Sequence, residues 1–193
     1  MPSTARFFEA LEYAVQLHAR QRRKGSDTPY IAHLLSVTAI VLEHGGSEDE
    51  AIAALLHDAV EDQGGPPVRE EIRGRFGPAV TAIVDGCSDS ETIPKPPWRE
   101  RKENFLAQLP AAGRSVHLVS AADKLHNARA LVDDYREHGE SLWDRFSGGR
   151  AGTLWYYRAV ADALASALPG PLVQKLERAI AELERVAAAR DIS

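Results

Sequence analysis

The chain has one cysteine, Cys87, and one methionine, Met1, among its 193 residues. A single thiol excludes an internal disulfide, so a cytoplasmic setting is the expectation. No apolar run approaches the ~20 residues needed to span a bilayer. The N-terminal residues Met1-Pro2-Ser3-Thr4-Ala5-Arg6 include no apolar signal region. Basic residues are in the minority, with 23 Lys and Arg against 28 Asp and Glu, for a net charge of −5. That balance argues against nucleic acid as a partner. Alternation with period two is almost absent, which removes β-strands as a major element. No internal repeat or low-complexity tract occurs.

What is present is helical. The sequence is 44% hydrophobic, enough for one good core, and its apolar residues recur at helical spacing. Helices are expected at about 5–23, 31–44, 48–62, 67–75, 77–88, 97–108, 115–133, 150–167 and 169–190. They are broken at Gly45-Gly46-Ser47, Gln63-Gly64-Gly65-Pro66-Pro67 and Ile93-Pro94-Lys95-Pro96-Pro97. The class is therefore all-α, a single compact domain over 1–193 with about nine helices. Leu172, Leu176, Ile180, Leu183 and Val186-Ala187 form one stripe, which makes the last helix a packing helix. A homodimer interface is the other reading of that stripe, so the chain is expected to be a monomer or a homodimer.

The chemistry gathers at His57-Asp58-Ala59-Val60-Glu61-Asp62, directly after the apolar run Ala51 to Leu56. On a continuous helix His57 stacks with Glu61, and Asp58 with Asp62. Desolvating so many acids together is costly unless a cation neutralises them. A bound divalent metal is the economical explanation. His33, in Pro29-Tyr30-Ile31-Ala32-His33, and Asp123, in Ala121-Ala122-Asp123-Lys124-Leu125-His126-Asn127, also sit at the ends of apolar runs. With His57 and Asp58 they would supply two nitrogens and two oxygens, a set suited to Mn²⁺, Fe²⁺, Co²⁺ or Zn²⁺ with positions left for water and substrate. Spacing alone does not assemble these four residues.

The order of these residues resembles the HD-type metal-dependent phosphohydrolases. In finer detail it is similar to the (p)ppGpp hydrolases: the hydrolase domain of RelA/SpoT-type enzymes and the small alarmone hydrolases of the Mesh1 type. The resembling blocks are Gln21 to Lys24, Thr28 to His33, Ala53 to Asp62, Phe76-Gly77, Ile83 to Asp89 and Ala122 to Asn127. The stretch Trp155 to Leu164 looks like the bacterial branch of the small hydrolases. Together the blocks span about residues 5–165.

The resemblance implies that His33, His57, Asp58 and Asp123 are metal ligands, with Mn²⁺ the expected ion and other divalent ions accepted. It implies that Glu61 and Asp62 are the catalytic acids, and that the substrate is a nucleotide alarmone losing pyrophosphate from its 3′ position. The plain alternative is that Glu61 and Asp62 merely mark a helix end before Gln63-Gly64-Gly65-Pro66. Acids at a helix C-terminus oppose the dipole, however, so that alternative carries an unfavourable placement. The chain ends at Ser193, with no counterpart of the synthetase and regulatory domains of the long enzymes, so the expected activity is hydrolytic only.

Arg20, Arg22, Arg23 and Lys24 form a dense basic run in an otherwise acidic chain. Guanidinium forks bind phosphate oxygens bidentately, and Arg23 and Lys24 match the family's basic pair. Asn127 matches a position near the ribose, and Arg150 and Thr153 are further substrate-binding candidates. A solvated helix end accounts equally well for such a basic run. His18, His44, His117 and His138 read as surface or capping residues, His126 as packing, and Cys87 as a structural thiol. Trp98, Trp143, Trp155, Tyr156 and Tyr157 read as core or groove packing. The proline-rich loop Ile93 to Pro97 is expected to border the substrate entrance.

Two positions depart from the family pattern. Leu34 stands where a proline commonly follows the first histidine, and Gly86-Cys87-Ser88 replaces Gly-Val-Thr. Neither removes a ligand or an acid, and guanine and adenine alarmones, (p)ppGpp and (p)ppApp, both remain open. The rival functions are another HD-type phosphohydrolase, acting on nucleoside 5′-monophosphates or on the 2′-phosphate of NADPH, and a module that binds alarmones without turnover.

Overall fold

The computed structural model describes residues 5–90 and 94–189. The α-helices are α1 (Ala5–Leu17), α2 (Ile31–Glu43), α3 (Glu48–Leu56), α4 (Ala59–Gln63), α5 (Pro66–Phe76), α6 (Pro78–Cys87), α7 (Trp98–Gln108), α8 (Arg114–His138), α9 (Gly149–Ala167) and α10 (Pro171–Ala189). Short 3₁₀ segments, Leu109–Ala111 and Gly139–Arg145, flank α8. Among the described residues the only extended pairing is the isolated bridge between Arg22 and Pro29. The class is all-α, as expected. No described helix is long and apolar enough to cross a membrane.

Helix α3 is the axis of the core. Ser47 caps it with a reciprocal capping box: its hydroxyl accepts from the Glu50 amide while the Glu50 carboxylate accepts from the Ser47 amide. Every residue from Ala51 to Leu56 is fully buried, because α1, α2, α6 and α8 pack around it. That explains a run apolar on all sides rather than on one stripe. Helix α10 does show a stripe, and it buries Leu172, Leu176, Ile180 and Leu183 against its neighbours α8 and α9. It is a packing helix.

Three boundaries differ from the sequence reading, and each difference shapes the site. The expected helix over 48–62 is two helices. The chain leaves α3 at His57, whose Nδ1–H donates to the carbonyl of Ala54 at 2.8 Å, so the side chain satisfies a helix-end acceptor. Glu61 and Asp62 then fall in the first turn of α4. The expected conflict with a helix C-terminus does not arise, since acids in a first turn agree with the dipole.

The first helix stops at Leu17 rather than running to 23. Arg23 instead donates its amide to Thr28 at 2.8 Å, and Tyr30 donates to Gln21 at 3.1 Å. The reversal between them uses Gly25 at φ +79°, where an added Cβ would stand 2.5 Å from the Arg145 guanidinium. The basic run is thereby carried on a tight loop rather than on a helix end. Finally, α8 extends to His138, five residues beyond the expected end at 133, and stops at Gly139 with φ +63°.

Candidate active site

His33 enters from the first turn of α2, His57 and Asp58 from the α3–α4 junction, and Asp123 from the middle of α8. The ligand atoms of His33, His57 and Asp58 all lie within 4.8 Å of one another. His33 Nε2 is 3.6 Å from Asp58 Oδ2 and 3.3 Å from Asp123 Oδ1. His57 Nε2 is 3.1 Å and 3.7 Å from the same two oxygens.

Both Nε2 atoms are buried without a hydrogen-bond partner, a costly state for a polar atom. In His57 the Nδ1–H is already committed to Ala54, so a neutral ring presents its Nε2 lone pair to two carboxylates. Lone pairs aimed at anions need a positive charge between them. Burial alone would lower the His57 imidazole, yet Asp58 and Asp123 push it well above the usual histidine range. An environment that holds a proton so strongly also holds a cation, and two imidazoles with two carboxylates form an appropriate donor set for a divalent metal.

The carboxylates of this cluster are held from behind. Tyr30 donates its phenol to Asp58 Oδ2 at 2.6 Å. Burial and the Asp58 charge together hold that phenol far above its usual range. Lys124 donates to Asp123 Oδ2 and Asn127 Nδ2 to Asp123 Oδ1, both at 2.5 Å. Burial would raise the Asp58 and Asp123 carboxyls, but His57 beside the first and Lys124 beside the second hold both well below the carboxylate range.

Glu61 and Asp62 face Lys95, whose Nζ donates to Glu61 Oε1 at 2.9 Å and to Asp62 Oδ1 at 3.2 Å. Gln21 donates to the other Asp62 oxygen at 2.9 Å. Burial and the nearby Asp89 raise the Glu61 carboxyl, against the pull of Lys95. Two cavities meet here. One, of about 150 Å³, is lined by Asp58, Glu61, Asp62, Asp123 and Lys124. The other, of about 640 Å³, is lined by Arg23, Lys24, His33, His126 and Tyr157. Tyr30, Asp62 and Asn127 belong to both walls.

Residues 10–154 match the family described as HD domain. The chain belongs to the HD-domain family. It is 42% identical over 130 residues to the guanosine-3′,5′-bis(diphosphate) 3′-pyrophosphohydrolase MESH1 of Xenopus tropicalis, covering 66% of this chain and 70% of that one. The human MESH1 is 38% identical over the same extent. A GTP pyrophosphokinase rsh of Brucella abortus is 31% identical over 91% of this chain but only 26% of its own length. Among solved structures, a metazoan ortholog of SpoT described as hydrolysing ppGpp superposes with a TM-score of 0.78 at 29% identity, covering 95% of this chain and 97% of that one. The Listeria monocytogenes protein lmo0812 gives 0.67 at 28% identity, over 77% and 96%.

Within this HD domain the expected substrate residues separate into two groups. Arg23 Nη2 donates to Asn127 Oδ1 at 2.7 Å, and Lys24 lies 5.3 Å from the Phe146 ring centroid. All three expected residues, Arg23, Lys24 and Asn127, line the larger cavity. Arg150 and Thr153 line neither cavity. Arg150 donates instead to the carbonyl of Ala187 at 2.8 Å and faces Glu140 at 3.8 Å, which ties α9 to α10. Thr153, next on the same helix, is buried. The structure does not bring these two together with Arg23, Lys24 and Asn127: the start of α9 packs against its neighbours.

The histidines need correction too. His18 is buried, stacked on Tyr30 at 5.2 Å, with Nδ1 2.6 Å from Gln21 Oε1. Burial lowers its imidazole below the usual range. His117 is buried with Nε2–H donating to the carbonyl of Leu109. Neither is a surface residue, but His117 does cap, since Leu109 is the residue that ends α7. His126 does more than pack: its Nδ1 is 2.9 Å from Nδ1 of His33. The one sequence signal for it was its place three residues after Asp123, on the same helical face.

Cys87 lies 3.7 Å from the Ser120 hydroxyl, and burial pushes its thiol up to about 11, which keeps it an inert structural group. Of the loop expected at the entrance, Ile93 lies outside the described residues. Pro94 to Pro97 bring Lys95 onto the acid pair. Arg101 and Lys102 had no distinguishing pattern in the sequence, while Lys95 and Asp89 lay in a loop and a block that were singled out without a role for either side chain.

Proposed function

We propose that this HD domain is a metal-dependent hydrolase that removes pyrophosphate from the 3′ position of a nucleotide alarmone, (p)ppGpp or (p)ppApp. The observation that carries this reading is the convergence of two orphaned imidazole Nε2 atoms on Asp58 and Asp123, with Glu61 and Asp62 on the wall of the adjoining cavity. His33, His57, Asp58 and Asp123 hold the metal, for which Mn²⁺ is the proposed ion. When bound, such an ion supplies Lewis acidity that makes water nucleophilic at neutral pH.

The chain's own residues do the rest. Glu61, with its carboxyl raised by burial and by Asp89, is brought toward the operating pH of a general base and orients or deprotonates the attacking water. Asp62 assists the departing oxygen. The cavity of about 640 Å³ is large enough for a nucleotide. Arg23 and Lys24 on its wall meet the phosphates, and Asn127, a neutral donor and acceptor, meets the sugar hydroxyls. The relatives named as guanosine-3′,5′-bis(diphosphate) 3′-pyrophosphohydrolases support the same substrate class. A cytoplasmic setting belongs to this proposal through the alarmone substrate, not through any feature of the fold.

The test is a metal titration of chelator-treated protein with ppGpp, ppApp, NADPH and nucleoside 5′-monophosphates as parallel substrates. The proposal expects Mn²⁺ to restore turnover of a 3′-diphosphate and to leave the other two classes slow. Preferred turnover of NADPH or of a monophosphate would replace it with a different HD-domain phosphohydrolase.

A further inference from the structure

Asp89 follows the end of α6, and its carboxylate is buried, with 5% of the side chain exposed. Its part in the proposed reaction is so far only that of a charge raising the Glu61 carboxyl. Its two oxygens are each taken by a cation from α7: Arg101 Nη1 donates to Oδ1, and Lys102 Nζ to Oδ2. A carboxylate desolvated to this degree is retained only with such partners. These cations hold the Asp89 carboxyl below its usual range against the effect of burial.

Arg101 is itself largely buried and makes two further contacts. Its Nε donates to the Pro96 carbonyl at 3.2 Å, and Nη1 lies 3.5 Å from Glu61 Oε1. One planar guanidinium thus touches the acid, the loop carrying Lys95, and a buried anion. The other cation on Glu61, Lys95, sits at the end of a flexible stem on a half-exposed loop. Arg101 is gripped from behind, so it can hold a direction where Lys95 cannot.

We propose that Arg101, anchored by Asp89, is a positioning residue that fixes the Glu61 carboxylate toward the reacting water, an inference that rests on the reading of Glu61 as a catalytic acid. The charges around Glu61 make this specific. Asp58 and Asp62 face it from its own segment, Lys95 from the loop, Arg101 and Lys102 from α7, Asp89 from the end of α6, and Asp123 with Lys124 from α8. Asp89 and Arg101 act on Glu61 with opposite sign. Removing the anion makes proton loss from Glu61 easier, and removing the cation makes it harder.

The experiment measures kcat, KM and pH–rate profiles on the Mn²⁺-loaded protein with ppGpp, for wild type, Arg101→Ala, Arg101→Lys, Asp89→Asn and Glu61→Gln. Metal content and melting temperature are recorded for each. Arg101→Ala lowers kcat roughly 10- to 100-fold, the scale of a misaligned catalytic group, with KM little changed, and Arg101→Lys recovers part of the loss. The acidic limb of the kcat profile moves to higher pH in Arg101→Ala and to lower pH in Asp89→Asn. Should Arg101→Ala not fold, the Asp89→Asn profile carries the test alone.

Raised KM with intact kcat would make Arg101 a substrate contact and overturn the inference. So would limbs that stay in place or move in the same direction, or activity that falls only in step with metal content. Full turnover by Glu61→Gln would instead overturn the reading of Glu61 itself. A dead Glu61→Gln beside an unimpaired Arg101→Ala would overturn only the positioning role.

Discussion

His33 and His126 share a hydrogen bond between their Nδ1 atoms, 2.9 Å apart, while His33 Nε2 faces Asp58 and Asp123. One ring donates and the other accepts. A metal-ligating His33 keeps its proton on Nδ1, so His126 accepts and carries its own proton on Nε2. Burial, with positive charge such as that of Arg23 nearby, lowers the His126 imidazole to about 4. Its Nδ1 is therefore a free acceptor at neutral pH.

His126→Ala should weaken metal binding by about 10- to 100-fold, the usual cost of losing a group that orients a ligand. Turnover at saturating metal should be largely retained. Calorimetric Mn²⁺ titration beside an activity titration checks both halves.

His57→Ala and Asp58→Ala should abolish metal binding, because each removes one of the four proposed donors. Metal binding to the native state alone stabilises it by about 2.7 kcal/mol at a hundredfold excess over Kd. For a domain of this size that is a rise of roughly 5–10 °C in Tm. Adding Mn²⁺ to chelator-treated wild type should produce this rise, and neither variant should respond.

Glu61→Gln should keep the metal and lose turnover by about 10²- to 10⁴-fold, the usual worth of general acid–base catalysis. Elemental analysis paired with kcat separates this from loss of the ion. A variant with bound metal and full kcat would remove Glu61 from the mechanism.

Arg23→Ala should act mainly on KM. A hydrogen bond to a charged group contributes about 1.5–3 kcal/mol, which corresponds to a KM raised roughly 10- to 100-fold. The same change frees Asn127, which accepts from Arg23 at 2.7 Å and donates to Asp123. A smaller fall in kcat should accompany it, and steady-state kinetics on one substrate resolves the two.

The parts of the molecule legible in the sequence were those with strong local patterns. The run Ala51 to Leu56 announces a buried helix, and the polar cluster at its end announces a site. The break between His57 and Asp58 was hidden, because it is made by a side chain bonding its own backbone rather than by glycine or proline. Burial of His18, His117 and His126 depends on which helices pack over them, and local sequence does not encode that. The separation of Arg150 and Thr153 from the Arg23 group was hidden for the same reason: their place near the start of α9 says nothing of α10, which engages Arg150. Lys95, Arg101 and Asp89 come from three different segments, and only their meeting around Glu61 gives them meaning.

The most direct test of the account is product analysis. Purified protein with Mn²⁺ is incubated with ppGpp, and the products are resolved by anion-exchange chromatography with a chelator control. The account predicts GDP and pyrophosphate in equal amounts, with neither formed under chelation. Orthophosphate as the released product, turnover that survives chelation, or intact ppGpp beside demonstrably bound metal would contradict it.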